Sequence, residues 1–301
     1  MRAIIAGGTG FIGRALIAEL QKNNWEIIVL SRTPSRVAEV FGSGVIGMVW
    51  NGGGDWSSLL GPQTVVVNLA GENISGRWTT AKKQRILESR LKAGEKIVQA
   101  VKSSEQPPAA LIQASAVGFY GPHQSTPLNE EHPGGTGFLA DVARQWEDST
   151  KSLEKLGVRR CIIRTGMVLG HGGALKQMLP PFRMFMGGPV GHGHQGVSWI
   201  HLLDEVRAIR FLMENESEAG AYNLTAPNPT DFNKFAKILG EVLNRPSWLR
   251  TPPFVLRALF GSMADELLLT GQFALPEALQ RAGFEFRFPD LKSALSDLLA
   301  R

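Results

Sequence analysis

Apolar residues along the chain fall into short unbroken runs separated by amphipathic stretches. The runs at 2–6, 26–30, 64–68, 109–115 and 159–165 are rich in Val and Ile, and their apolar residues stand side by side instead of alternating with polar ones. That texture predicts strands covered on both faces, as in a parallel sheet. Between them, at about 11–23, 79–103 and 137–156, apolar positions recur with helical spacing. The resulting βαβαβ order predicts a doubly wound α/β sheet.

The texture changes near residue 170. Gly and Pro punctuate 170–196, which reads as a loop holding at most one short helix. Strand-like W-I-H and Y-N-L follow at 199–201 and 222–224, and from 230 onward the pattern is helical with Pro breaks. This predicts a nucleotide-binding domain over 1–170, rejoined at about 197–224. Segments 171–196 and 225–301 then form a smaller, mostly helical C-terminal lobe, with Trp248, Phe254 and Phe260 expected in its core.

The strongest motif is G-G-T-G-F-I-G at 7–13, set between the first strand and the first helix. Gly7 and Gly10 let the backbone turn tightly against a pyrophosphate, and Gly13 permits close helix–strand packing. The helix that starts at Phe11 and Ile12, just after Thr9, turns its free N–H groups toward that phosphate. This is a Rossmann-type dinucleotide loop. The second strand ends in Ser31-Arg32, where an NAD site usually carries an acid for the ribose 2′-OH. No acid occurs between Ile27 and Ala38, whereas Arg32 and Arg36 do. A guanidinium pairs with a 2′-phosphate, so NADP(H) is the expected cofactor. The strand at 64–68 runs into Asn68, Leu69, Ala70 and Gly71, whose small size admits backbone to the adenosine side of the cofactor.

Charge adds one local feature. The chain has 301 residues and net charge +5, yet 77–102 alone carries eight Lys or Arg against Glu88 and Glu95. The run reads as a solvated helix face, with Arg85 or Arg90 within reach of an adenosine phosphate. No aromatic-interleaved basic motif accompanies it, so no nucleic-acid partner is expected. No apolar run approaches the ~20 residues of a membrane span. The first strand begins at residue 2, which leaves no room for a targeting segment and predicts a cytoplasmic protein. The single Cys161 sits in an apolar run, which predicts a buried thiol and excludes an intramolecular disulfide or a cysteine-based zinc site.

Together with N-L-A-G-E-N-I, A-S-A-V-G-F-Y-G at 114–121, R-T-G-M-V-L-G at 164–170, S-W-I-H-L-L-D at 198–204 and Y-N-L-T-A-P at 222–227, the glycine loop resembles the extended short-chain dehydrogenase/reductase superfamily. The branch it resembles is the NAD(P)-dependent epimerase/dehydratase one. S-R-L at 89–91, W-E at 146–147 and A-G-F-E-F at 282–286 narrow this to an atypical "epimerase family" subgroup. The resemblance implies a sheet of about seven parallel strands under a C-terminal substrate lobe. It also implies an NADP site along Ser31-Arg32, Leu69-Ala70, Arg85, Arg90 and Val168, and Ser115 and Arg164 are further cofactor-site candidates.

The same resemblance exposes a departure. The superfamily moves a proton with a tyrosine whose pKa is lowered by a lysine four residues on; a free phenol ionises only near 10. The chain has two tyrosines, Tyr120 and Tyr222, followed four residues later by Gln124 and Ala226. The superfamily positions fall on Phe138 or Leu139 and on Val142 or Ala143. Ala116 stands where the catalytic Ser or Thr belongs, with Ser115 one residue early. Remaining candidates for proton transfer are Tyr120, Ser115, His192, His194 and His201. The loop 187–201 is the expected substrate contact, through Gln195, Trp199 and His201. Three readings stay open: hydride or epimerase chemistry with other acids and bases, a non-catalytic NADP(H) sensor, and a basic nucleic-acid or membrane-surface binder. The ligand is an unnamed small molecule, and the chain is a monomer or a homodimer.

Overall fold

The apolar runs are strands of one sheet. A computed structural model describes residues 1–50, 55–122 and 126–299; Gln124 lies outside the described residues. The first half runs β1 (Arg2–Ala6), α1 (Phe11–Lys22), β2 (Glu26–Ser31), α2 (Ser35–Phe41), β3 (Ile46–Val49), β4 (Thr64–Asn68), α3 (Thr80–Ser103) and β5 (Ala110–Ala116). The middle runs β6 (Pro127–Leu128), α4 (Phe138–Asp148), β7 (Arg159–Thr165), β8 (Met167–Leu169), α5 (Gly173–Arg183), β9 (Gly196–Val197), β10 (Trp199–His201), α6 (Leu202–Glu214) and β11 (Gly220–Leu224). The last part holds β12 (Thr230–Asp231), α7 (Phe232–Leu243), α8 (Pro253–Phe260), β13 (Phe273–Ala274), α9 (Glu277–Arg281) and α10 (Leu291–Leu299).

Seven strands form the sheet in the order β11-β7-β5-β4-β1-β2-β3, all parallel. The order reverses at β1, between β4 and β2, which opens the crevice where α/β sheets bind ligands. Both faces are buried, which explains the unbroken apolar runs. Ala3, Ile5, Val29 and Val67 pack with α1 and α6, while Ile4, Ile28, Val66 and Leu111 pack with α3. A second core joins Leu175 and Phe182 of α5 to Trp199, Phe235, Leu239 and Leu295. Asp204, in the first turn of α6, accepts the backbone N–H groups of Arg287 and Phe288 and so ties that second core to the sheet layer.

Four details differ from the sequence reading. Elements α2 and β3 carry little apolar signal, because α2 buries only Val37 and β3 is an exposed edge strand. The helix expected over 137–156 stops at Asp148 and resumes as a 3₁₀ helix at Lys151–Leu156. At the break, Ser149 Oγ bonds back to the Trp146 carbonyl, one of the local alternatives that Ser offers a helix. Segment 199–201 pairs with β8 and not with the main sheet, which 220–224 joins. Finally, Trp248 is 74% and Phe254 71% exposed. They flank the Pro252-Pro253 break, where no neighbouring element covers them; Phe260 is packed, as expected.

Candidate cofactor site

The glycine loop has the backbone geometry that a dinucleotide requires. Gly7 adopts φ +83°, and a Cβ there would lie 2.7 Å from the Leu69 carbonyl. The loops after β1 and β4 therefore touch backbone to backbone. Gly10 donates to the Gly7 carbonyl at 3.0 Å and caps α1 without a side chain. No acid stands in the first turn of α1, so its N–H groups face an anion unopposed. A Cβ on Gly13 would strike Gly7 O and Gly8, so only glycine lets α1 approach this closely. The Thr9 carbonyl accepts from Arg14, the Phe11 ring lies against Gly170, Gly172 and Gly173, and Ile12 packs on the core.

Across the crevice, Asn68 is fully buried. It donates to Gln113 Oε1 at 3.0 Å and accepts from Ala70 N at 3.3 Å, which shapes the Leu69-Ala70 turn. Gly71 leaves room for the Arg90 guanidinium, which donates to the Glu72 and Ile86 carbonyls and stacks 4.7 Å from the Trp146 ring. Burial lowers the Arg90 pKa to about 10. Arg90 thus holds the loop onto α3. Arg32 is exposed at the end of β2, while Ser31 Oγ closes its own turn with Thr33. Glu72 meets Lys82 at 3.0 Å and Arg85 at 3.8 Å. Those partners, and Arg32 beyond them, hold its carboxyl below the ordinary value, the Lys82 hydrogen bond most of all. The basic run is therefore more than a solvated face: Lys96 also donates to the Trp50 carbonyl, and Lys83 lies over Phe138.

Ser115, Tyr120 and His201, considered for proton transfer, are held in internal bonds. Ser115 donates to Glu147 Oε1 at 2.6 Å, and Arg164 makes a two-pronged pair with both Glu147 oxygens at 3.0 and 3.1 Å. Arg164 also donates to Tyr120 OH, which donates to Asn223 Oδ1 at 2.7 Å. The guanidinium sits 3.6 Å above the Phe119 ring. Ser115, Tyr120 and Arg164 thus form one buried network at the carboxyl ends of β5 and β7, and burial raises the Tyr120 pKa further from neutrality. His201 caps α6 by accepting from Leu203 N, stacks 4.0 Å from Phe288, and has Nε2 3.3 Å from Asp297. Burial lowers its pKa.

Gln195 donates to the Val190 and Leu268 carbonyls, and Trp199 Nε1 to Asn228 O; both side chains are buried. The three residues expected in the substrate loop thus join internal packing instead of lining open surface. His192 and His194 are exposed and stacked 6.1 Å apart. Val168 pairs with Ile200 and packs on the main core. Tyr222 donates to Glu218 at 2.6 Å, away from the glycine loop. Cys161 is buried and free, its thiol pushed up to about 11 by burial.

At the positions that the resemblance assigns to the superfamily's tyrosine and lysine, Val142 and Ala143 are buried and Leu139 faces Gly118. The N–H groups of Phe138 and Leu139 donate instead to Glu266, brought from beyond α8. Glu205, in α6, is fully buried; its Oε1 accepts from Thr165 at 2.8 Å and its Oε2 has no partner. Burial pushes its carboxyl up to about 8. Glu72, Glu205 and Glu266 were invisible in the sequence as site residues. The only signal was Glu72's place inside the N-L-A-G-E-N-I motif and Glu205's directly after S-W-I-H-L-L-D; Glu266 had none. Among the described residues no group of His, Cys, Asp and Glu is arranged to hold a metal ion.

Residues 3–225 match the model of the NAD dependent epimerase/dehydratase family. The chain belongs to this family. Residues 251–298 match a domain of unknown function, DUF1731. The epimerase family protein SDR39U1 homolog, chloroplastic, of Arabidopsis thaliana is 41% identical over 303 residues, spanning 99% of this chain and 87% of that protein. The epimerase family protein YfhF of Bacillus subtilis is 37% identical over 302 residues, spanning 100% of this chain and 98% of its own length. The crystal structure of human epimerase family protein SDR39U1 (isoform 2) with NADPH is similar at a TM-score of 0.87 and 32% identity, covering 99% of each chain. Among the described residues no helix is long and apolar enough to cross a membrane.

Proposed function

We infer that the protein binds NADP(H) as an epimerase-like member of its family whose proton-transfer apparatus is atypical. The observation that carries the cofactor choice is Arg32 at the end of β2, where an NAD site carries an acid. The NADPH in the human relative's crystal structure supports it. The residues fit the cofactor. Gly7, Gly10 and the uncapped start of α1 cradle the pyrophosphate, Leu69 and Ala70 border the adenosine ribose, and Arg32 with Arg85 takes the 2′-phosphate. Bound NADP(H) would supply or accept a hydride. This reading keeps 1–170 and about 197–224 as the cofactor domain, 171–196 and 225–301 as the smaller lobe, and the cytoplasm as the location.

A second reading, a non-catalytic NADP(H) sensor, is favoured by one observation. Ser115, Tyr120 and His201 are each buried in internal bonds, so none of them is positioned to meet a substrate. Titration of intrinsic or NADPH fluorescence tests the cofactor choice. NADPH is expected to bind at least tenfold more tightly than NADH. Arg32→Ala is expected to weaken NADPH by about 1.5–3 kcal/mol, the worth of a charge-assisted hydrogen bond, and to leave NADH almost unchanged. Equal or reversed affinities in the unaltered chain would overturn the assignment.

A further inference from the structure

The carboxylate of Glu72 is paired with two cations of α3, and the charge of Arg32 acts on it from a second part of the chain. Lys82 and Arg85 reach it from the first turns of α3, and the charge of Arg32 acts on it from the end of β2. Its backbone is fixed independently: the N–H donates to Ser89 Oγ at 2.9 Å, and the carbonyl accepts from Arg90. The side chain is therefore the free variable, and it is 39% exposed. Lys82, whose side chain is only 15% exposed, is the close partner; Arg85, 60% exposed, is held loosely at 3.8 Å.

The cations beside the turn after β4 share one carboxylate, that of Glu72. We propose that Glu72 is the resident anion of the 2′-phosphate cradle, neutralising Arg32 and Arg85 in the free protein and releasing them when a 2′-phosphate takes its place. Lys82 keeps the displaced carboxylate nearby. Glu72 thereby lowers affinity for the phosphorylated cofactor selectively and sets the NADP/NAD ratio, because NAD carries no group that competes for these arginines. The proposal rests on the NADP(H) reading above.

The test titrates the unaltered chain, Glu72→Gln, Glu72→Asp and Glu88→Gln with NADPH and with NADH, following thermal unfolding of each. Glu88 is the control: it lies on the same helix, paired with Lys92 and Gln84 instead of the cradle, so its loss changes net charge equally. Glu72→Gln is expected to tighten NADPH about five- to tenfold, roughly 1.0–1.4 kcal/mol, with NADH within twofold. Glu72→Asp, which draws the charge back from Arg85, is expected to give a smaller gain, and Glu88→Gln a change under twofold for both cofactors. Unchanged or weaker NADPH binding by a folded Glu72→Gln chain overturns the proposal. So does equal tightening of both cofactors, or a Glu88→Gln gain that matches it. An unaltered chain with no NADPH preference and no response to Arg32→Ala defeats the parent reading instead, and a chain that binds no NADPH defeats both.

Discussion

Glu205 makes the pH dependence of stability calculable. Its carboxyl is fully buried, bonded only to Thr165 Oγ1, and pushed up to about 8, whereas an ordinary glutamate ionises near 4.5. Between those values the unfolded chain has released a proton that the folded chain keeps. Folding stability therefore falls as pH rises through that window; the contribution is fully present below about 4.5 and the loss levels off above about 8. At about 1.4 kcal/mol per pH unit, the loss between pH 5 and pH 8 is about 3–4 kcal/mol, a large share of the roughly 5–15 kcal/mol that holds a domain folded. Glu205→Gln keeps the shape and cannot ionise. Its amide adds a donor that needs a partner, a penalty of ~1–3 kcal/mol that does not vary with pH. The slope, and not the offset, is therefore the readout. Urea unfolding of both chains at pH 5, 6, 7 and 8 should show the glutamine variant gaining on the unaltered chain by about 3–4 kcal/mol over that range. Parallel profiles, differing by a constant at all four values, would refute the buried-acid argument.

The Ser115–Glu147–Arg164–Tyr120 network should be structural. Glu147→Gln strands the buried Arg164 charge and is expected to cost about 3–5 kcal/mol in urea unfolding, against about 1 for Ser115→Ala. Gly7→Ala forces a side chain onto the Leu69 carbonyl from a left-handed φ, so it should abolish measurable NADPH binding in a fluorescence titration. Turnover with any substrate found by screening is expected below the roughly 10 s⁻¹ typical of enzymes, because the missing acid–base pair is worth about 10²–10⁴ in rate. A faster enzyme, checked by steady-state NADPH consumption, would mean that another group moves the proton.

What could be read from the chain follows from where each signal is stored. The glycine loop, the strands it joins and the absence of an acid near Arg32 are local patterns, set by spacing over a few residues. The strand β3 and helix α2 escaped because an exposed edge strand and a helix with one buried residue carry almost no periodic signal. The lysines and arginines of α3 looked solvated because their partners are not helix neighbours: Lys82 meets Glu72, ten positions back, and Lys96 meets Trp50, 46 positions back. Trp248 and Phe254 looked like core because hydrophobicity alone does not report whether another element covers a residue. Glu205 and Glu266 acquire their character from contacts with Thr165 and with the start of α4, 40 and about 127 residues away.

The same distinction explains how this family scaffold can keep a cofactor site without the superfamily's tyrosine and lysine. Nearly everything that shapes the glycine-loop end of the crevice is backbone: the left-handed Gly7, the Leu69 carbonyl against it, the start of α1 without a side-chain cap. In the function proposed above, side chains contribute mainly at the 2′-phosphate. Proton transfer depends on side chains, and at the tyrosine position that the resemblance assigns to α4, Phe138 and Leu139 give only their N–H groups, to Glu266. Apolar residues at those positions offer no proton donor and still pack α4 against Gly118. Binding and proton transfer are separable in this architecture because one is written in the main chain and the other in the side chains.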